Sequence, residues 1–117
     1  IESRKGVDNI DEILSVPGVD IMFIGVFDLM ISLGQPAKFD HPDVIAAMDK
    51  LLDATKQHGK VAGMWAPSFE AAKPWIKKGV RFIEGVGEID FIASGAKEYI
   101  KSFPEHGSRV KQGDGHI

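Results

Sequence analysis

Two carboxylates draw attention by where they fall along the chain. Residues 23–29 read FIGVFDL, an apolar run interrupted by Gly25 and closed by Asp28 just before Leu29, and Glu2 directly follows Ile1. A carboxylate that leaves water without a partner loses a large solvation energy, so Asp28 must be solvated, hydrogen-bonded or bound to a cation. Ile1 has the look of a strand's last residue and Asp28 follows the next apolar run. Their separation is about that of one βα unit, which sets both acids at the carboxyl ends of neighbouring strands, where parallel α/β folds gather their chemistry. Two acids converging in a partly dry cleft repel each other unless a proton or a cation lies between them. Oxygen ligands of this kind suit Mg²⁺ or Mn²⁺, which take one or two carboxylates and leave other positions to water and substrate. The plainer reading is that acids after strands cap helices and form turns.

The elements that position these residues repeat one plan: a helical stretch, a Gly turn and a short apolar run. Pro17-Gly18 precedes VDIMFIG, Gly59 precedes KVAGMW and Gly79 precedes VRFIEGVG. This alternation predicts parallel βα units. Between Asp40 and Gly59, the residues Val44, Ile45, Met48, Leu51 and Leu52 form one helical stripe that Thr55 continues through its methyl group, with Asp40 or His41 as cap and Pro42 in the first turn. A first helix over about Val7–Ser15 turns Val7, Ile10, Ile13 and Leu14 inward. The helix after Ser68 is expected to break or kink near Ala72 because of Pro74. From Ile89 to Phe103 the apolar residues Ile89, Ile92, Ala93, Ala96, Tyr99, Ile100 and Phe103 recur at helical spacing. Residues 1–103 thus form one expected domain, and 104–117 a polar, Gly-rich tail.

Composition narrows the function classes. The 117 residues are 44% hydrophobic and 26% charged, with a net charge of −3 and basic residues scattered rather than striped, so nucleic acid is not an expected partner. There is no cysteine, which excludes disulfides, thiolate metal sites and a Cys nucleophile and is compatible with a reducing cytoplasm. No apolar run approaches the length of a membrane span. The chain opens without methionine or a leader pattern, which reads as a fragment or a processed chain.

At the acidic positions the sequence resembles the HpcH/HpaI-type class II pyruvate aldolases, which act on 4-hydroxy-2-oxo acids and 2-keto-3-deoxy sugar acids. The resemblance runs through IESRKGVDNIDEIL, GVDIMFIGVFDLMISLG, HPDV, GKVAGMWAP and KKGVRFIEGVGE. It implies the C-terminal half of a (β/α)₈ barrel, beginning at the tip of the fifth strand. It also implies a divalent metal, Mg²⁺ or Mn²⁺ with Co²⁺ as a further option, held by Glu2 and Asp28. In such an enzyme the backbone N–H groups of Gly25, Val26, Phe27 and Asp28 hold the pyruvate carboxylate, and the metal polarises the 2-oxo group. The residue matching Trp65 lines the substrate pocket and is usually a smaller aliphatic one, so a Trp here narrows the pocket or stacks on the substrate. Val26 replaces a usual Pro.

The resemblance places the family's catalytic base, a His–Asp pair, and its oxo-binding Arg on earlier strands, so no catalytic residue is assigned within these 117 residues and the isolated chain is expected to be inactive. His41, His58, His106 and His116 read as surface residues. Glu84 and Glu88, flanking Gly85-Val86-Gly87, are possible further acids for which a structural role is favoured. Trp75, Phe69 and Phe103 read as packing residues. The expected activity is cleavage of a 4-hydroxy-2-oxo acid into pyruvate and an aldehyde by a homo-oligomer, or by a chain completed by the other half of the barrel. The rival readings are a non-catalytic α/β binding or assembly module and a related lyase of CoA thioesters.

Overall fold

A computed structural model of the chain describes residues 1–103; the expected tail, 104–117, lies outside the described residues. The element order is α1 (Arg4–Asp8), α2 (Ile10–Ser15), β1 (Ile21–Ile24), α3 (Val26–Ser32), α4 (Pro42–Gln57), β2 (Val61–Trp65), α5 (Phe69–Lys77), β3 (Val80–Glu84) and α6 (Glu88–Lys101). The chain divides into two compact units, Ile1–Gly85 and Val86–Ile117.

In the first unit, β1, β2 and β3 form a parallel sheet in that order. Ile21, Met22, Phe23 and Ile24 oppose Val61, Ala62, Gly63 and Met64. Between β2 and β3, Gly63 faces Phe82 and Trp65 faces Glu84, with an irregularity between Ala62 and Gly63. Parallel neighbours need helical crossovers, and α4 and α5 provide them. Gly59 and Gly79 end these helices at φ of 63° and 113°, a region that costs a residue bearing a Cβ but not glycine.

The core follows the helical periodicities of α1, α2 and α4 in large part, although Ile13 and Ile45, expected on the same inner faces, are only half-buried. Val44, Met48, Leu51 and Leu52 of α4 are buried together with Val7, Ile10 and Leu14 and with Met22, Ile24, Ala62 and Met64 of the strands. Thr55 is also buried, and its hydroxyl donates to the Leu51 carbonyl at 2.6 Å, so the polar atom enters the core already satisfied. His41 is the cap of α4, its Nδ1 accepting from the Asp43 N–H at 3.2 Å, with Pro42 in the first turn.

Three expectations need correction. The first helix is two short ones, broken at Asn9, whose φ of −97° and ψ of 17° interrupt the helical path. It also starts earlier than expected, because the Ser3 side chain accepts from the Gly6 N–H and opens a turn at Arg4. Pro74 does not break α5, which runs unbroken from Phe69 to Lys77. The ring removes one N–H from the ladder, a loss offset by the Ser68 cap on Ala71 and by burial of Ala72. Phe69 is not a packing residue, being 66% exposed.

The second unit contains α6. Its start is capped by Asp90, whose carboxylate accepts from the Gly87 N–H at 3.2 Å, and Glu88 lies in the first turn. The expected helical stripe is present, but none of its residues is buried, and Phe103 too is exposed, in ring contact with Tyr99 at 5.2 Å.

Candidate active site

Ile1 completes the sheet at its carboxyl end. Its N–H donates to the Phe23 carbonyl and its own carbonyl accepts from the Gly25 N–H at 3.1 Å. Bonds to the two residues flanking Ile24 are the signature of a parallel neighbour in register with Ile24. Ile1 therefore occupies the position of a strand's last residue, and Glu2 leaves at the same end of the sheet as the β1–α3 junction.

The chain folds this way for local reasons. Ser3 is extended, with φ of −144° and ψ of 157°, and caps α1, so Glu2 is held between a strand-like residue and a helix start. The Glu2 side chain lies across Gly25: a Cβ built on Gly25 would stand 2.5 Å from Glu2 Cγ and 2.9 Å from Oε1. Gly25 is the N-cap of α3, and Asp28 lies in that helix's first turn. Both carboxylates are exposed, so the partly dry cleft expected around them is not a feature of the described chain.

Among the described residues neither Glu2 nor Asp28 has an ion-pair or hydrogen-bond partner, whereas Asp11 meets His58 at 3.0 Å and Asp49 meets Lys78 at 2.6 Å. A carboxylate packed on a bare glycine, with a second unpaired carboxylate in the adjoining helical turn, fits the oxygen ligands of a hard divalent cation. No group of three or more potential ligands occurs among the described residues, and Glu84 adds no third acid to the pair.

The first turn of α3 supplies donors as well. Gly25 offers no side-chain cap and its own N–H is taken by Ile1, which leaves the N–H groups of Val26, Phe27 and Asp28 at the open start of the helix. Such a start favours an anion.

Beside it lies a half-open cleft of about 380 Å³ lined by Val26, Phe27, Phe39, Met64, Trp65 and Trp75 together with Ala66, Pro67 and Ala71. Trp65 ends β2 and contacts Phe27 at a centroid distance of 5.2 Å, and Phe27 meets Phe39 edge-on at 5.2 Å. Trp75, read from sequence as packing, is both: it packs against the core, lines this cleft and carries the Lys78 ammonium 4.8 Å above its ring. Phe39 was not singled out by the sequence, although a lone aromatic in the loop GQPAKFDH was the available signal. His41 and His58 are engaged in a helix cap and a carboxylate contact, as surface roles require; His106 and His116 lie outside the described residues.

The two unpaired carboxylates, the open helix start and the apolar cleft all lie toward the carboxyl end of one parallel sheet. Residues 1–88 match the HpcH/HpaI aldolase/citrate lyase family, and the chain belongs to it. It is 38% identical over 103 residues to a hydroxypyruvate/pyruvate aldolase of Chromohalobacter salexigens, covering 88% of this chain and 41% of that protein. It is 33% identical to a 5-keto-4-deoxy-D-glucarate aldolase of Shigella boydii, with 88% and 40% covered. A family member from Burkholderia cenocepacia superposes with a TM-score of 0.80 at 34% identity, over 89% of this chain and 40% of that one. A HpcH/HpaI aldolase from Desulfitobacterium hafniense gives 0.76 at 26% identity, over 98% and 43%. The chain thus spans about two fifths of the length of the curated relatives it matches. Its three parallel βα units are the C-terminal part of the (β/α)₈ barrel.

Proposed function

We propose that the protein to which these residues belong is a divalent-metal-dependent lyase that cleaves a 4-hydroxy-2-oxo acid reversibly into pyruvate and an aldehyde. The relatives' names, hydroxypyruvate/pyruvate aldolase and 5-keto-4-deoxy-D-glucarate aldolase, support chemistry of this type. Glu2 and Asp28 hold Mg²⁺ or Mn²⁺, and when bound the cation polarises the 2-oxo group. The Val26, Phe27 and Asp28 N–H groups receive the substrate carboxylate, and Trp65 bounds the space beyond.

In the cleaving direction the 4-hydroxyl loses its proton to a base, the C3–C4 bond breaks to give the aldehyde, and its electron pair passes to C3 and the 2-oxo group. Protonation at C3 then yields pyruvate. No histidine among the described residues is free for the base, since His41 and His58 are engaged elsewhere. The family resemblance assigns the base, a His–Asp pair, and the oxo-binding Arg to earlier strands of the barrel. The observation that carries this reading is the packing of Glu2 on Gly25 beside the turn that bears Asp28.

The test joins the preceding part of the Chromohalobacter aldolase to Ile1 and measures pyruvate by coupled oxidation of NADH. Pyruvate is expected from the joined protein with Mn²⁺, from neither Glu2→Gln nor Asp28→Asn, and not from the 117 residues alone. A folded joined protein that releases no pyruvate from any 4-hydroxy-2-oxo acid would overturn the proposal.

A further inference from the structure

The cleft beside the helix start is built for something other than a polyhydroxylated chain. Every side chain that lines it is apolar, and four of its residues are aromatic: Phe27, Phe39, Trp65 and Trp75. Phe39, Phe27 and Trp65 form a continuous row of rings, with neighbouring centroids 5.2 Å apart. At about 380 Å³ it exceeds by more than twofold the roughly 150 Å³ that an enclosed apolar cavity needs to take a benzene ring. Aromatic faces contact a flat or chair-shaped ring over a large area at little cost in side-chain order. A chain of hydroxyls would instead surrender its water here and find no acceptor, and no donor beyond the two indole N–H groups, among these side chains.

The position of the cleft fixes what would enter it. Val26 and Phe27 belong to the same helical turn as Asp28, so one wall continues into the proposed carboxylate and metal end of the site. In the lyase reading the substrate's carboxylate and 2-oxo group are held at that end and C3 carries no substituent, so the part of the substrate left to extend into the cleft is the group on C4, the side chain of the aldehyde product. Resting on the lyase reading above, we infer that this chain selects an aldehyde with an apolar side chain of about the size of a six-membered ring, and that Trp65, Phe27 and Trp75 determine that specificity. The sugar-acid preference named for the 5-keto-4-deoxy-D-glucarate relatives is accordingly not shared.

Both tryptophans of the chain line the cleft, so indole fluorescence reports on this place alone. Cyclohexylmethanol and glycerol serve as probes: they carry the two kinds of side chain, absorb little at the excitation wavelength and form no adducts with lysine. With Mn²⁺ present, cyclohexylmethanol is expected to change the emission saturably, at a concentration at least about tenfold below any effect of glycerol. Trp65→Ala should abolish that response, read from Trp75, while Mn²⁺ binding stays unchanged; Phe27→Ser gives a second variant at an exposed position. In the joined protein the ratio of kcat/KM for cyclohexyl-bearing over hydroxylated 4-hydroxy-2-oxo acids should exceed about ten and collapse in the same variants. Equal responses to the two alcohols, or none while Mn²⁺ still binds and pyruvate is still formed, would overturn the inference and leave the lyase reading standing. Loss of Mn²⁺ binding or of pyruvate release for every substrate would instead count against the lyase reading itself.

Discussion

Glu2 and Gly25 are fitted to each other: the glutamate side chain crosses the Cα of Gly25 so closely that a methyl group there would stand 2.5 Å from Glu2 Cγ. Gly25 has φ of −79°, which alanine adopts without strain, so Gly25→Ala acts on the neighbour and not on the backbone. Because Glu2 is exposed, it can swing away into water. The variant should lose less than about 1 kcal/mol of stability, yet bind Mn²⁺ at least about tenfold more weakly. Urea unfolding and Mn²⁺ titration check the two halves separately, and equal affinity with native stability would show that Glu2 is not a ligand.

A second glycine tests the sheet. A Cβ on Gly63 would come within 2.9 Å of Phe23 Cδ2 and 3.0 Å of Phe82 Cδ1, the two rings that meet edge-on across the strand at 6.1 Å. Phe23 is partly enclosed, while Phe82 is 46% exposed and has room to move. Gly63→Ala should therefore cost about 1–2 kcal/mol, toward the low end of overpacking. Gly63→Ala combined with Phe82→Ala should recover part of that loss, measured by urea unfolding.

These two glycines also mark what the sequence could and could not yield. The parallel strands, the α4 stripe and the placement of Glu2 and Asp28 at strand ends followed from periodicity, Gly turns and the resemblance to a family, because each rests on local pattern. The contact between Glu2 and Gly25 did not, since it joins residues through the pairing of Ile1 with β1. The unbroken course of α5 across Pro74 was likewise hidden: capping by Ser68 and burial of Ala72 outweigh the local preference of proline. The row of rings from Phe39 to Trp65 joins a loop, a helix start and a strand end, which no spacing rule connects.

Ala37 has φ of 60°, in the left-handed region where a Cβ is crowded. Ala37→Gly should relieve that strain at the expense of a more flexible unfolded chain, for a net gain of up to about 1 kcal/mol. A rise in the urea midpoint at constant slope checks it.

The central claim is that Glu2 and Asp28 share one divalent cation. Its most direct test is titration of Mn²⁺ into the native chain and into Glu2→Gln and Asp28→Asn, following the electron paramagnetic resonance signal of free aqueous Mn²⁺. A single site that weakens by about tenfold or more in each variant, with no further loss when the two are combined, is the predicted result. Binding that is unchanged by neutralising both carboxylates would contradict it.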